Sequence, residues 1–412
     1  MKFVINDQVV LSRAPEVPLA ANIGAFAKSL HAQGYAPGSI HRQVLLAACF
    51  SHWLKQQGVT LRRISPGHPS QYLRYRARRV RPYVGDAAAL RHFIDFLRSE
   101  GLIAAEKTST RPMTPAERCV QAYAQYLREL RALASATIVN YVPFIRKFLT
   151  DRFGGEPVLL SRLSACDVVR FVQRQAPHLH LKRAKLLTTA LRSFLRYARY
   201  RGEVTLDLAA AVPVVANWSM PSIPRAIEAD QVEQLLASID RSTAIGRRDY
   251  AILLLLARLG LRSGEVAFLE LDDIDWEAGQ VSVQGKGGQR TALPLPTEVG
   301  KAIAAYLRHG RQRSTGRRVF LRGKAPIRGF LSQCAIGSIV RHALQRAGIQ
   351  APTTGAHQFR HALATQMLRH GASLTEIGEV LRHRSPQTTT IYAKVDLKAL
   401  RTLALPWPGG AR

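Results

Sequence analysis

Ile252-Leu253-Leu254-Leu255-Leu256-Ala257-Arg258-Leu259-Gly260-Leu261-Arg262-Ser263-Gly264-Glu265 reads as a buried apolar helix over 249–261 that turns at a glycine. It then delivers an arginine to the start of a second helix near Arg262. An arginine there sits in a field that favours anions, and its planar fork matches phosphate oxygens. Glu265, three residues on, is placed to orient that arginine or to cap the turn. Downstream, Val281-Ser282-Val283 and Thr291-Ala292-Leu293 alternate around Gly285-Lys286-Gly287-Gly288-Gln289, which predicts a hairpin with Lys286 at its tip. In His357-Gln358-Phe359-Arg360-His361, the three-residue spacing puts His357 and Arg360 on one helical face. Leu381-Arg382-His383-Arg384-Ser385 follows, and then Pro386-Gln387-Thr388-Thr389-Thr390-Ile391-Tyr392-Ala393-Lys394.

These segments supply arginines, a lysine, histidines and a tyrosine, a set able to break a phosphodiester with a tyrosine hydroxyl and without a metal. In order and spacing they resemble the tyrosine recombinase (phage integrase) family over 226–396. That resemblance implies a catalytic set of Arg262, Lys286, His357, Arg360, His383 and Tyr392. Arg262 and Arg360 would grip the non-bridging oxygens of the scissile phosphate, and losing one such donor commonly costs about 10²–10³ in rate. The lysine at the hairpin position is the family's proton donor to the leaving 5′ oxygen, a role worth about 10²–10⁴ for general acids. His357 would accept the tyrosine proton, as an imidazole with an ordinary pKa of about 6.5 suits that task. His361 is read as a structural neighbour of the site, and Glu265 as its support. His383 falls where the family places a hydrogen-bond donor to phosphate. Immediately before it the family usually has glycine, whereas this chain has Arg382. The tract to Tyr392 resembles the family's H-x-S-x-x-T-T-x-x-Y pattern, shifted by one residue at the threonines. Tyr392 is the expected nucleophile; a phenol of ordinary pKa about 10 needs nearby guanidiniums and a base to attack.

Composition points the same way. The 412 residues carry 59 Lys and Arg against 28 Asp and Glu, a formal net charge of +31. Such self-repulsion suits a polyanionic partner, and double-stranded DNA fits best because each neutralised phosphate releases condensed counterions. No apolar run is long enough to span a bilayer and no signal-peptide layout is present, so a bacterial cytoplasmic, nucleoid-associated protein without membrane partners is expected. Cys49, Cys119, Cys166 and Cys334 form no C-x-x-C pair, and buried free thiols are expected rather than a zinc site or disulfides. With neither a P-loop nor clustered carboxylates, no cofactor and no metal are expected.

The chain is too long for one ordinary core. Apolar residues recur at three- and four-residue spacing in 45–54, 88–97, 141–149 and 186–197, so the first half reads as helical. The stretch 89–101 matches 190–202, with Ala25-Phe26-Ala27 answered by Ala122-Tyr123-Ala124 and Ser39-Ile40 by Thr137-Ile138. Self-similarity of this kind indicates two tandem helical units. The expected fold is mainly α with a small β-sheet in the catalytic domain. Residues 1–106 form an extra N-terminal helical DNA-binding domain, 113–206 a helical domain resembling the family's core-binding domain, and 226–396 the mixed catalytic domain. The family resemblance implies that the parts close as a C-shaped clamp on DNA. It also implies that the tail 397–412 docks as a helix, in cis or in trans, within a homo-oligomer, a tetramer on DNA.

Arg74, Arg78 and Arg81 fall on one side of a helix expected over 72–81, as either a phosphate-tracking stripe or a solvated face. Lys182, Arg183 and Lys185 occupy a comparable place in the second copy, and Arg382 and Arg384 are candidates to reach the DNA backbone. The function so implied is site-specific recombination through a 3′-phosphotyrosyl intermediate. The alternatives are an inactive sequence-specific DNA-binding protein and topoisomerase-like relaxation.

Overall fold

The computed structural model describes residues 3–6, 8–11, 19–103, 113–215, 226–285, 288–351 and 353–395. Strands β1 (Phe3–Asn6) and β2 (Gln8–Leu11) pair antiparallel at the start of the chain. Two runs of four helices follow. The first holds α1 (Ala20–Ala32), α2 (Pro37–Gln56), α3 (Gly67–Ala77) and α4 (Asp86–Ser99). The second holds α5 (Pro115–Glu129), α6 (Ser135–Phe153), α7 (Ala165–Gln175) and α8 (Leu181–Tyr200). Both runs place a 3-10 turn between their second and third helices, Leu61–Arg63 and Leu160–Arg162, and the second adds another at Ala176–His178.

The ring contacts repeat as well. Phe26 meets Phe93 and Phe96 at 4.9 and 5.5 Å between centroids, and Tyr123 meets Phe194 and Tyr197 at 5.3 Å each. Phe50–Tyr72 at 5.3 Å is answered by Phe148–Phe171 at 5.0 Å. Such pairs stabilise by about 0.5–1.5 kcal/mol beyond the area they bury. Element order and aromatic packing therefore recur at the spacing of the sequence self-similarity. Each run closes a core of its own, one built from Leu19 to Ile103 and the other from Ala116 to Val212.

The remaining chain is mixed. It holds α9 (Ala229–Ala237), α10 (Ala244–Leu259), α11 (Ser263–Ala267), an antiparallel sheet of β3 (Ile274–Asp275), β4 (Gln280–Gln284) and β5 (Arg290–Pro294), then α12 (Thr297–His309), α13 (Cys334–Arg346), α14 (His357–Arg369) and α15 (Leu374–Val380). Helix α10 is its axis, with Ile252 through Leu256 all fully buried. Thr243 caps it by accepting from the Gly246 amide at 3.0 Å, so it starts at Ala244, five residues before the expected 249. The protein is thus mainly helical with one three-stranded sheet in its C-terminal half.

By packing, the chain forms two compact units: 107–220, and 1–106 together with 221–412. In the latter, the Ile327 amide donates to the Gln33 carbonyl at 2.8 Å. Gly34 (φ +79°) lies so close that a β-carbon there would sit 2.5 Å from Ile327 Cγ1.

Two expectations are corrected. Helix α3 stops at Ala77 instead of running through 81, and Val80 is half exposed. Pro82 follows closely, and a residue preceding proline is disfavoured in helical geometry. The cysteines are free but not buried: Cys49, Cys166 and Cys334 are exposed and Cys119 is partly so. Cys119 packs against the edge of the core of the second run. Among the described residues, no helix is long and apolar enough to cross a membrane.

Candidate active site

The glycine after α10 sets the geometry. Gly260 is left-handed (φ +55°), and a β-carbon on it would meet Leu381 Cδ2 at 2.9 Å and Leu363 Cδ2 at 3.0 Å. Only glycine combines that backbone conformation with this close approach. Its carbonyl accepts from Arg360 Nη1 at 2.7 Å. Arg262 then stands as N-cap of α11, held by Glu265, which accepts from its backbone amide at 2.8 Å and from Nη1 at 2.7 Å. Glu265, in turn, accepts from Arg382 Nη2 at 2.9 Å. Arg262 Nη2 donates to the Arg382 carbonyl at 3.2 Å.

Arg360 rises from the first turn of α14 and is buried, donating also to the Leu381 carbonyl. Its pKa falls to about 10, through burial first and then through the neighbouring cations Arg262 and Arg382. It remains charged at neutral pH. Two guanidiniums on one carboxylate, with Arg360 held on backbone carbonyls beside them, make a preorganised cationic cluster whose hydrogen bonds are already in place.

Tyr392 lies on a closing 3-10 segment, Thr390–Val395, and is almost wholly buried. Its hydroxyl is 2.9 Å from His361 Nδ1. Burial raises the phenol to about 12, with Arg360 pulling the other way. His361 is lowered to about 4 by burial and by the nearby His357 and Arg360. A neutral imidazole beside a protonated phenol is satisfied when the phenol donates to Nδ1 and the ring proton sits on Nε2. The rings form a row: His357 meets His361 edge-on at 4.9 Å, and His383 stacks parallel to Tyr392 at 6.4 Å. His383 Nδ1 is 2.8 Å from Thr389 Oγ1, and its pKa is also lowered to about 4, by burial and then Arg360 and Arg262.

The structure therefore brings Arg262, Arg360, His361, His383 and Tyr392 together, with Glu265 bracing the arginines. His357 is exposed and contributes its ring edge to His361. Lys286 lies outside the described residues, although β4 and β5 frame its turn in the expected register, with the Gly285 amide donating to the Gln289 carbonyl at 2.8 Å. The tail 397–412 also lies outside them. Arg384 is exposed, as are Arg74, Arg78 and Arg81 on α3 and the turn after it. Lys182, Arg183 and Lys185 are exposed on the first turn of α8, with Arg183 over the Phe144 ring at 4.9 Å. Arg382 differs from the expectation of a backbone-reaching side chain: it is turned inward, 10% exposed, against Glu265. The residue that touches Tyr392 is His361 rather than His357. Spacing alone did not choose between them, since His361 follows His357 by four residues and shares its helical face.

Comparison with known proteins identifies the family. The phage integrase family profile matches residues 225–398. The Sinorhizobium fredii protein y4rA, named as an integrase/recombinase, is 58% identical over 412 residues, all of both chains. The tyrosine recombinase XerD of Mycobacterium leprae is 33% identical over 313 residues, covering 70% of this chain and 95% of its own. Among solved structures, XerH recombinase in a post-cleavage complex with its palindromic difH substrate shares the fold at a TM-score of 0.56 and 20% identity. That match covers 72% of this chain and 98% of XerH. A lambda integrase(75-356) dimer bound to a COC′ core site gives a TM-score of 0.52 at 17% identity, covering 68% and 96% of the two chains. The sequence relatives, one of them matching over the whole chain, make this protein a member of the phage integrase family of tyrosine recombinases.

Proposed function

We propose that this recombinase breaks and rejoins double-stranded DNA at specific sites through Tyr392. The phenolic oxygen attacks a phosphorus whose non-bridging oxygens lie on Arg262 and Arg360. A bond forms from Tyr392 to the 3′ phosphate, and the bond to the 5′ oxygen breaks. The phenol proton passes to His361, which it already touches; the hydrogen bond favours His361 over His357 as the first acceptor. The leaving 5′ oxygen takes a proton from Lys286, which follows β4 in sequence. A 5′ hydroxyl from the partner duplex then reverses these steps at the new junction. The phosphodiester energy is kept in the tyrosyl link, so the residues described need no nucleotide to reseal the strand.

The observation that carries this reading is the 2.9 Å contact between a neutral imidazole and the Tyr392 hydroxyl, beside a pocket of buried guanidiniums. We read the two four-helix runs, 1–106 and 113–206, as DNA-binding domains that precede a catalytic domain over 226–396. Exchange between two duplexes cuts four strands, which supports a homotetramer on DNA with one tyrosine per strand. The excess of cations supports the same substrate, and a DNA substrate supports a bacterial cytoplasmic location.

Tyr392→Phe tests the assignment. Footprinting on DNA flanking the gene identifies a protected sequence, and a nicked duplex carrying it traps any covalent intermediate. Wild type is expected to form a denaturant-stable adduct, while the phenylalanine variant binds equally and forms none. An adduct in the variant removes Tyr392 from the role. Tight wild-type binding without an adduct makes the protein a DNA-binding module instead.

A further inference from the structure

We propose that Arg382 is a positioning residue for strand cleavage, holding Glu265 so that Arg262 is aimed and only partly neutralised. The inference rests on the site reading above. Arg382 and Ala132 are the only described non-glycine residues with positive φ, and Arg382 stands at +54°. A side chain in that conformation is disfavoured relative to glycine, yet here an arginine occupies it and turns inward. Its Nη2 takes Glu265 Oε2 at 2.9 Å while Arg262 Nη1 takes Oε1 at 2.7 Å, so each carboxylate oxygen serves a different guanidinium. Glu265 is 3% exposed and Arg382 10%. In so dry a setting, shared charge-assisted bonds fix orientation strongly.

Charge gives the second reason. Arg262, Arg360, Arg382 and Glu265 together carry two net positive charges. With glycine at 382 they would carry one, and Glu265 would belong to Arg262 alone, drawing that guanidinium away from phosphate. A bound phosphodiester bears one negative charge. When a deprotonated phenol adds, the five-coordinate phosphorus group bears two. The extra cation therefore matches the transition state more than the bound substrate, and its effect belongs in the cleavage step rather than in DNA affinity.

The geometry also separates side chain from backbone. The Arg382 carbonyl accepts from Arg262 Nη2 at 3.2 Å, a contact any residue can make. Arg382→Gly keeps that carbonyl, suits the left-handed backbone and removes only the guanidinium. On the nicked duplex described above, we expect this variant to bind within about twofold of wild type and to form adduct about 10–100-fold more slowly at saturating DNA. Arg382→Lys, which restores the charge without the fork, should fall between the two. In a Glu265→Gln background, Arg382→Gly should cost several-fold less than it does alone, because the shared carboxylate is gone.

Adduct formation by Arg382→Gly within twofold of wild type overturns the proposal. So does an equal cost of Arg382→Gly with and without Glu265, or a lysine variant no faster than the glycine variant. If the glycine variant does not fold by circular dichroism, the lysine variant decides: slowed at least about threefold it supports the proposal, at wild-type rate it overturns it. Arg262→Ala separates the two levels of argument. Loss of adduct there, with Arg382→Gly unaffected, defeats only this inference, whereas a wild-type rate in Arg262→Ala defeats the site reading itself.

Discussion

At the scale of single residues, the chemistry was legible from types and spacing, but the contacts were not. The order Arg262, Arg360, His383, Tyr392 was enough to name the chemistry. Which imidazole meets the phenol depends on where a 3-10 segment ends against α14, and no spacing rule supplies that. His361 was passed over because its neighbour His357 already filled the role. The inward turn of Arg382 was hidden for a similar reason: an arginine followed by His383 and Arg384 reads as a surface residue until its carboxylate partner, 117 positions away, is found. The buried histidines also make stability depend on pH. His361 and His383 have folded pKa values of about 4 against about 6.5 when unfolded. Between these values the unfolded chain binds more protons, so stability is complete above about pH 6.5 and is lost as pH falls toward 4. Melting temperatures across that window should drop less for His361→Phe than for wild type. Parallel curves would show that His361 does not titrate as its surroundings require.

At the scale of elements, period was the reliable guide. Three- and four-residue apolar spacing located α2, α4, α6 and α8, and alternation located β4 and β5 with a lysine between them. Ends were less legible, because they depend on caps and breakers rather than on period. Helix α3 gives way before Pro82, so Arg78, its C-cap, continues the row begun by Arg74 and Arg81 does not. The α10–α11 turn is the element on which the site hinges. Gly260→Ala places a methyl group among Leu381, Leu363 and Arg360 in a left-handed backbone. We expect it to lower stability by about 1–3 kcal/mol in urea titration. Adduct formation should fall at least about tenfold, since the carbonyl that steadies Arg360 must shift. A variant as stable and active as wild type would mean that Arg360 does not depend on that turn.

At the scale of the whole molecule, net charge carried the argument about the partner, and it fixes how binding must respond to salt. If DNA is the polyanion that a charge of +31 anticipates, the logarithm of affinity should fall linearly with the logarithm of salt concentration. Contacts to six to ten phosphates would cost about 10³–10⁵ in affinity between 50 and 200 mM salt. A flat titration would point to an uncharged mode of recognition and leave the excess of arginine without a role. The tandem helical runs were visible in sequence through Arg91/Arg192 and Gly101/Gly202, because a repeat needs only self-comparison. That their aromatic pairs coincide was not visible until the rings were seen in contact. The coincidence has a cost in folding. Two runs that share three ring contacts offer each other's helices a partly fitting socket, the condition under which tandem domains misassemble. On the ribosome the first run is complete before the second emerges, so order of synthesis keeps each helix with its own partners. A chain diluted from denaturant has no such guide.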